Sequence, residues 1–365
     1  MGRLFRWLFA LGVLAVIAGA CALALLFALS GESPGEAIRG FIARLSIAGR
    51  QDDLNTPIGS DDTPIRFTVN LGDSPAEIAS NLAAAGMIDD TDLFVNYARA
   101  EDLDTAFQAG TYFVRQTQPL AEIARQLTDA RASFIPFRIL EGWRLEEIVE
   151  IIDLNPMFGF SGAEFLEAAF SPPPGFAEIV GLPSGANLEG FLYPNTYQLP
   201  PDTTAEGLIQ TLTDAFLDAV DPQMRADIAA QGLSVRDVIS FAAIVQREAV
   251  HIDEMPLIAG VYRNRLDIGM KLEADPTVQY ALGNSRDGVW WPRITAADYS
   301  GVVSPYNVYL NFGLPPGPIA SPGLDAIRAT IYPTETDFLY FRADCRDDGY
   351  HEFARTFEEH VANGC

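Results

Sequence analysis

The chain has 365 residues, 48% of them hydrophobic, enough for two or three packed domains. Acidic residues outnumber basic ones by 49 to 24, and a formal net charge of −25 argues against a nucleic-acid partner. His251, His351 and His360 are the three histidines, none with a partner at helical ligand spacing, and Cys-x-x-Cys is missing too, so neither a metal nor another cofactor is expected.

Arg3 and Arg6 precede an uncharged apolar run from Trp7 to Leu29, and Glu32 and Glu36 follow it. That length and charge asymmetry predict a single transmembrane helix with the N-terminus in the cytoplasm and the rest of the chain outside. A cleaved signal peptide and lipidation at Cys21 are the competing readings. Against both, alanine stands three residues before Cys21 and the apolar run continues through Leu23, Leu25, Leu26 and Phe27. From Glu36 to Arg50, apolar Ile38, Phe41, Ile42 and Leu45 recur at helical spacing opposite Arg39, Arg44 and Arg50. This helix lies along a membrane surface or packs against the following domain. Gln51 to Pro64 reads as a linker.

An internal repeat follows. An aromatic residue, a Val or Ile two later, Glu-Ile beginning ten later and Leu or Ile fifteen later occur three times. The copies are Phe67, Val69, Glu77-Ile78, Leu82; Tyr112, Val114, Glu122-Ile123, Leu127; and Phe137, Ile139, Glu147-Ile148, Ile152. Each predicts a strand followed by a helix. Ser74-Pro75-Ala76-Glu77 adds a capping box with proline at the first helical position, and another helix is predicted over Thr91 to Ala100. The strand, helix, helix, strand order from Ile65 to Val114 resembles the LysM module, which implies a grip on glycan chains; a small α+β spacer is the alternative.

Asn155 to Pro183 is predicted helical, ended by Pro172-Pro173-Pro174-Gly175. Helices are also predicted over 204–220, 234–250, 253–266 and 356–362, and a strand over 338–343. Within this part, Asn187 to Tyr197 places one carboxylate, Glu189, among leucine and aromatic residues, beside Gly190 and shortly before Pro194. An apolar surround raises a carboxyl pKa, so Glu189 is either a general acid or a buried glutamate satisfied by backbone donors in a tight turn. No Gly-x-Ser-x-Gly elbow or P-loop accompanies it. Cys345 and Cys365 are free thiols or, in an oxidising compartment, a pair.

Polar-aromatic segments recur through the C-terminal half: Glu189 to Tyr197, Ile244 to Glu248, Tyr262 to Leu266, Leu272 to Tyr280, Ser304 to Tyr309, Gly313 to Ile319 and His351 to Phe353. Tyrosines, amides and short acids on stiff proline loops suit a sugar-binding groove. In this order the segments resemble the YceG-like family of endolytic murein transglycosylases, from Ile65 to His360. The resemblance implies a single-pass inner-membrane protein whose expected partners are peptidoglycan glycan strands and peptidoglycan synthases. It also implies cleavage of the MurNAc–GlcNAc linkage with a 1,6-anhydro-MurNAc end, and it places the catalytic acid on Glu189. Leu140-Glu141-Gly142-Trp143 has the same Leu-Glu-Gly-aromatic form, but Glu141 falls within the third repeat copy, which explains it structurally.

The expected fold is α+β. A cytoplasmic N-terminus and transmembrane helix occupy 1–30, and a juxtamembrane helix and linker occupy 31–64. A LysM-like region occupies 65–153, and a mixed α/β catalytic domain 154–365. Expected substrate-binding or supporting residues are Tyr193, Asn195, Thr196, Tyr197, Glu248, Asn264, Asp275, Thr277, Tyr306, Asn307, Tyr309 and His351. Two positions depart from the family: Gln246 stands where an acid is common and Glu352 where a threonine is. A non-catalytic peptidoglycan-binding scaffold and a water-using muramidase are the alternatives, separated by whether products form and whether their ends are anhydro or reducing.

Overall fold

The computed structural model describes residues 34–365, so the predicted transmembrane segment and Cys21 lie outside the described residues. Among the described residues no single helix is long and apolar enough to cross a membrane. Mixed α+β structure divides into two compact units, with the break between Ser133 and Phe134.

In the first unit, helix α1 (Pro34–Ile47) leads into a short helix α2 (Gln51–Asn55). The predicted linker is therefore partly helical: Leu54 is buried and anchors it, and Pro57 bridges to Pro119. Strand β1 (Ile65–Val69), helices α3 (Pro75–Ala84) and α4 (Thr91–Ala100), strand β2 (Gly110–Val114) and helix α5 (Leu120–Gln126) follow. The two strands pair antiparallel, Ile65 opposite Val114 and Val69 opposite Gly110. Helix α3 begins on the predicted capping box, with the Ser74 amide donating to Glu77 and the Glu77 amide to Ser74 Oγ. The core is built from the repeat itself: Phe67, Val69, Ile78 and Leu82 of the first copy meet Tyr112, Val114, Ile123 and Leu127 of the second.

The third copy behaves differently. Its strand β3 (Ile135–Arg138) and helix α6 (Leu145–Asp153) bury Phe137, Ile139, Ile148 and Ile152 as the repeat predicts, but in the second unit. The predicted boundary at 153/154 thus gives way to one twenty residues earlier. The reason is strand pairing: β1 and β2 pair with each other, and β3 pairs antiparallel with β4 (Thr196–Leu199), Ile135 opposite Leu199 and Arg138 opposite Thr196. Between them the single helix predicted over 155–183 is two short ones, α7 (Gly162–Ala168) and α8 (Phe176–Val180). Ser161 starts the first with a capping box, and left-handed Gly175 and Gly181 bracket the second.

Helices α9 (Ala205–Ala219), α10 (Pro222–Ala230), α11 (Val235–Glu248) and α12 (Met255–Asp267) come next. Helix α11 is the spine of this unit: Val238, Ile239, Phe241, Ala242, Ala243, Ile244 and Val245 are all buried. It packs on α12 and on α15 (Leu324–Ile331), after the short helices α13 (Asp275–Leu282) and α14 (Ala296–Gly301). The chain closes with a hairpin of β5 (Tyr340–Ala343) and β6 (His351–Ala354), then α16 (Phe357–Ala362). A disulfide joins Cys345 to Cys365 across this end.

Candidate active site

Asn187 to Tyr197 forms a tight turn with Leu188, Phe191 and Leu192 fully buried. The Asn187 side chain accepts a hydrogen bond from the Glu189 amide (3.2 Å), and the Phe191 amide donates to the Leu188 carbonyl (3.0 Å). Gly190 has φ +82°, and a Cβ there would lie 2.3 Å from Pro318 Cβ, so both conformation and space require glycine. The turn aims Glu189 inward, where it is 4% exposed.

The carboxyl of Glu189 meets the amino end of α6. The Leu145 amide, a first-turn donor without an intrahelical partner, donates to both oxygens at 3.1 and 3.2 Å. The Tyr280 hydroxyl, on α13, donates to Oε2 at 3.4 Å. Arg144 is buried beside them; its guanidinium holds Glu146 in a two-pronged pair (2.7 and 3.0 Å) and lies over the rings of Tyr280 and Trp290. Burial, and secondly the charge of Glu146, push the Glu189 pKa up to about 8, against the opposing pull of the Leu145 amide, Arg144 and Tyr280. Near neutral pH the acid form is therefore favoured.

Tyr306 reaches this carboxyl through Tyr280, their rings 4.8 Å apart. The indole N–H groups of Trp290 and Trp291 donate to Glu150 and Glu147 on α6, and Arg247 lies over the Trp291 ring. Both Leu-Glu-Gly turns abut one loop. Gly190 touches Pro318; the Gly142 amide donates to Ser321 (2.8 Å), whose amide donates back to Trp143 (2.7 Å). The Glu141 carboxyl lies against Gly323, where a Cβ would come within 2.1 Å of it, and the Gly323 amide donates to Gln246.

A second group gathers Glu248, Asp275 and Tyr309. Tyr262 donates to Glu248 at 2.7 Å and Tyr309 to Asp275 at 2.6 Å, while Tyr309 stacks on Tyr299 with ring centres 4.2 Å apart. Glu248 is half-buried as a residue, yet its carboxyl is well desolvated, which pushes its pKa up to about 7 despite the Tyr262 bond. Glu273, just before Asp275, holds a left-handed φ of +52°, a cost of order 1–3 kcal/mol sustained by its surroundings.

The remaining expected residues hold the scaffold or face elsewhere. Asn195 and Thr196 line a separate cleft of about 440 Å³ with Arg138 and Glu141. The buried Tyr197 hydroxyl returns to the Tyr193 carbonyl (2.5 Å). Thr277 and Asn307 are fully buried and spend their polar atoms on backbone, Thr277 on Ala274 and Val308, Asn307 on Tyr299, Val302 and Tyr309. Asn264 ties α12 to the Thr336 and Phe338 carbonyls, and His351 pairs with Glu254 (2.8 Å). Sequence reasoning missed Tyr280, Arg144, Glu146 and the Leu145 amide. One signal was present: the twin Leu-Glu-Gly-aromatic segments, the first of which runs directly into Arg144 and Leu145.

The model of the YceG-like family matches residues 67–364. The chain is 31% identical over 313 residues to the endolytic murein transglycosylase of Streptococcus pneumoniae strain D39, covering 80% of this chain and 56% of that protein. It thus spans little more than half the length of the pneumococcal relative. To the endolytic murein transglycosylase of Bacillus subtilis strain 168 it is 29% identical over 322 residues, 84% of this chain and 86% of that one. The crystal structure of a yceG-like protein from Listeria monocytogenes is similar with a TM-score of 0.54 at 29% identity, over 83% of this chain and 99% of the other.

Proposed function

From the premise that the chain belongs to the YceG-like family, we propose that it is a membrane-anchored endolytic transglycosylase. Its substrate is the MurNAc–GlcNAc linkage of nascent peptidoglycan strands, cut to leave 1,6-anhydro-MurNAc ends and so terminating strand elongation. The observation that carries this reading is Glu189 itself: a buried carboxyl kept largely protonated near neutral pH, with an amide and a guanidinium beside it.

Glu189 gives its proton to the glycosidic oxygen as the C1–O bond breaks. The carboxylate so formed is stabilised by the Leu145 amide, the amino end of α6 and Arg144. It then takes the proton of the C6 hydroxyl as that oxygen attacks C1, which restores the acid and consumes no water. A hydrolase acting by two carboxylates needs a second one free to serve as base or nucleophile. Glu146, the carboxylate whose charge bears most on Glu189, is held by Arg144 in two hydrogen bonds, which favours the intramolecular route. Tyr280 orients the acid; Tyr306, Tyr309, Asp275 and Glu248 contact or support the sugars. The first unit is LysM-like, and the segment from Trp7 to Leu29 anchors the chain in the inner membrane with both units outside the cytoplasm.

Digestion of uncrosslinked glycan strands by the full chain, read by mass spectrometry, tests the reading. Anhydro ends are expected; free reducing ends would mean a muramidase, and no products from folded protein would mean a scaffold. Glu189→Gln is expected to lower cleavage by roughly 10²–10⁴-fold with the fold retained.

A further inference from the structure

Helix α1 has two apolar faces, and among the described residues only one of them is covered. Ala43 and Ile47 turn inward and are 1% and 6% exposed, where α1 packs on α4. Ile38, Phe41, Ile42 and Leu45, at i, i+3, i+4 and i+7, stand 51%, 63%, 55% and 60% exposed on the outer face. Four large side chains aligned in one stripe are a patch, unlike the scattered single apolar residues that any surface carries. Within a chain of net charge −25, Arg39 beside this stripe is an exposed cation that donates to the Gly35 carbonyl of its own helix, while Arg44 on the other side reaches back to the first unit, at the Ala100 carbonyl and Asp102.

We propose that this outer face lies in the surface of a lipid bilayer, its four apolar side chains among the acyl chains and Arg39 at the headgroups. The proposal rests on the membrane-anchor reading. The uncharged run from Trp7 to Leu29 ends five residues before Pro34, so α1 starts where an anchored chain leaves the bilayer. At 14 residues α1 is about 21 Å long, too short to cross a hydrocarbon core of about 30 Å and suited to lying in its interface. The inward face, held by Ala43, Ile47 and the Arg44 bond to the Ala100 carbonyl (3.2 Å), makes α1 a rigid part of the first unit. Seating the outer face in lipid would therefore fix how that unit is presented to substrate, rather than leaving it on a free tether.

The test uses the full chain reconstituted in vesicles of phosphatidylethanolamine and phosphatidylglycerol. A photoreactive benzoylphenylalanine replaces Phe41 and, in a separate sample, Leu154, an exposed leucine of the second unit. After irradiation, mass spectrometry should find lipid adducts at position 41 several-fold above position 154, and glycan cleavage by the same samples should match wild type. Adducts to another protein or to a second copy at position 41 would overturn the proposal, as would lipid labelling no greater than at 154. Alkaline extraction of the vesicles separates the two readings. A chain that stays with the vesicles but shows no lipid adduct at position 41 sinks this inference alone, and a chain that washes off sinks the anchor as well.

Discussion

Glu189 stands between opposing influences, and their sum sets its chemistry. Burial and Glu146 favour the acid; Leu145, Arg144 and Tyr280 favour the carboxylate that a proton transfer would leave. Replacing Glu146 by Gln removes a raising charge and frees Arg144 to act on Glu189, and both changes lower the pKa. The alkaline limb of the kcat/KM profile, expected near pH 8 in the wild type, should therefore move to lower pH; a limb that stays in place or moves up would refute this coupling. The same shift bears on stability. Because the folded pKa lies above the ordinary 4.5, the folded state binds this proton more tightly than the unfolded chain. Its contribution is complete below about pH 4.5 and is lost as pH rises through about 8. Denaturant titrations should show wild type losing a few kcal/mol between those limits beyond any loss in Glu189→Gln.

At the scale of elements, the site is made where the amino end of α6, the Asn187–Tyr197 turn, α13 and the loop around Pro318 meet. Gly190 makes a close contact there, against Pro318. Gly190→Ala forces a side chain into a left-handed backbone and against Pro318, with an expected cost of about 1–3 kcal/mol by chemical denaturation. It should also displace Glu189, so activity is expected to fall further than stability alone explains. The C-terminal hairpin depends on a different device. The bond between Cys345 and Cys365 closes a loop with a sequence separation of 20, and Cys365→Ser should cost about 2–4 kcal/mol in the unfolding of this segment, measured by hydrogen exchange along β5, β6 and α16. An equal protection pattern in the variant would mean that the aromatic packing of Phe341, His351 and Phe353 suffices.

For the whole molecule, the division at Ser133/Phe134 makes a sharp prediction. A chain of residues 134–365 contains β3, α6, β4 and the Leu145 amide, and should unfold cooperatively. One of residues 154–365 loses the strand that pairs with β4 and the helix that meets Glu189, and should be unfolded or molten by calorimetry and circular dichroism. Equal stability of the two fragments would show that the third strand-helix copy is dispensable to the second unit.

Periodicity in the sequence determined which side chains form the cores. In all three repeat copies the aromatic, the β-branched residue, the isoleucine of Glu-Ile and the closing Leu or Ile are buried, because strand and helix spacing dictate one inward face whatever the partner. Capping at Ser74 was equally legible, since its donors and acceptors lie within four residues. Local reading could also mark Glu189 as an acid in an apolar turn. What it could not supply was the partner of each face. Only the tertiary structure decided that β3 pairs with β4, that Arg144, Leu145 and Tyr280 converge on Glu189 from elsewhere in the chain, and that one face of α1 is left uncovered among the described residues. Pairing and convergence are contacts between distant residues, and nothing in the spacing of either partner encodes the other.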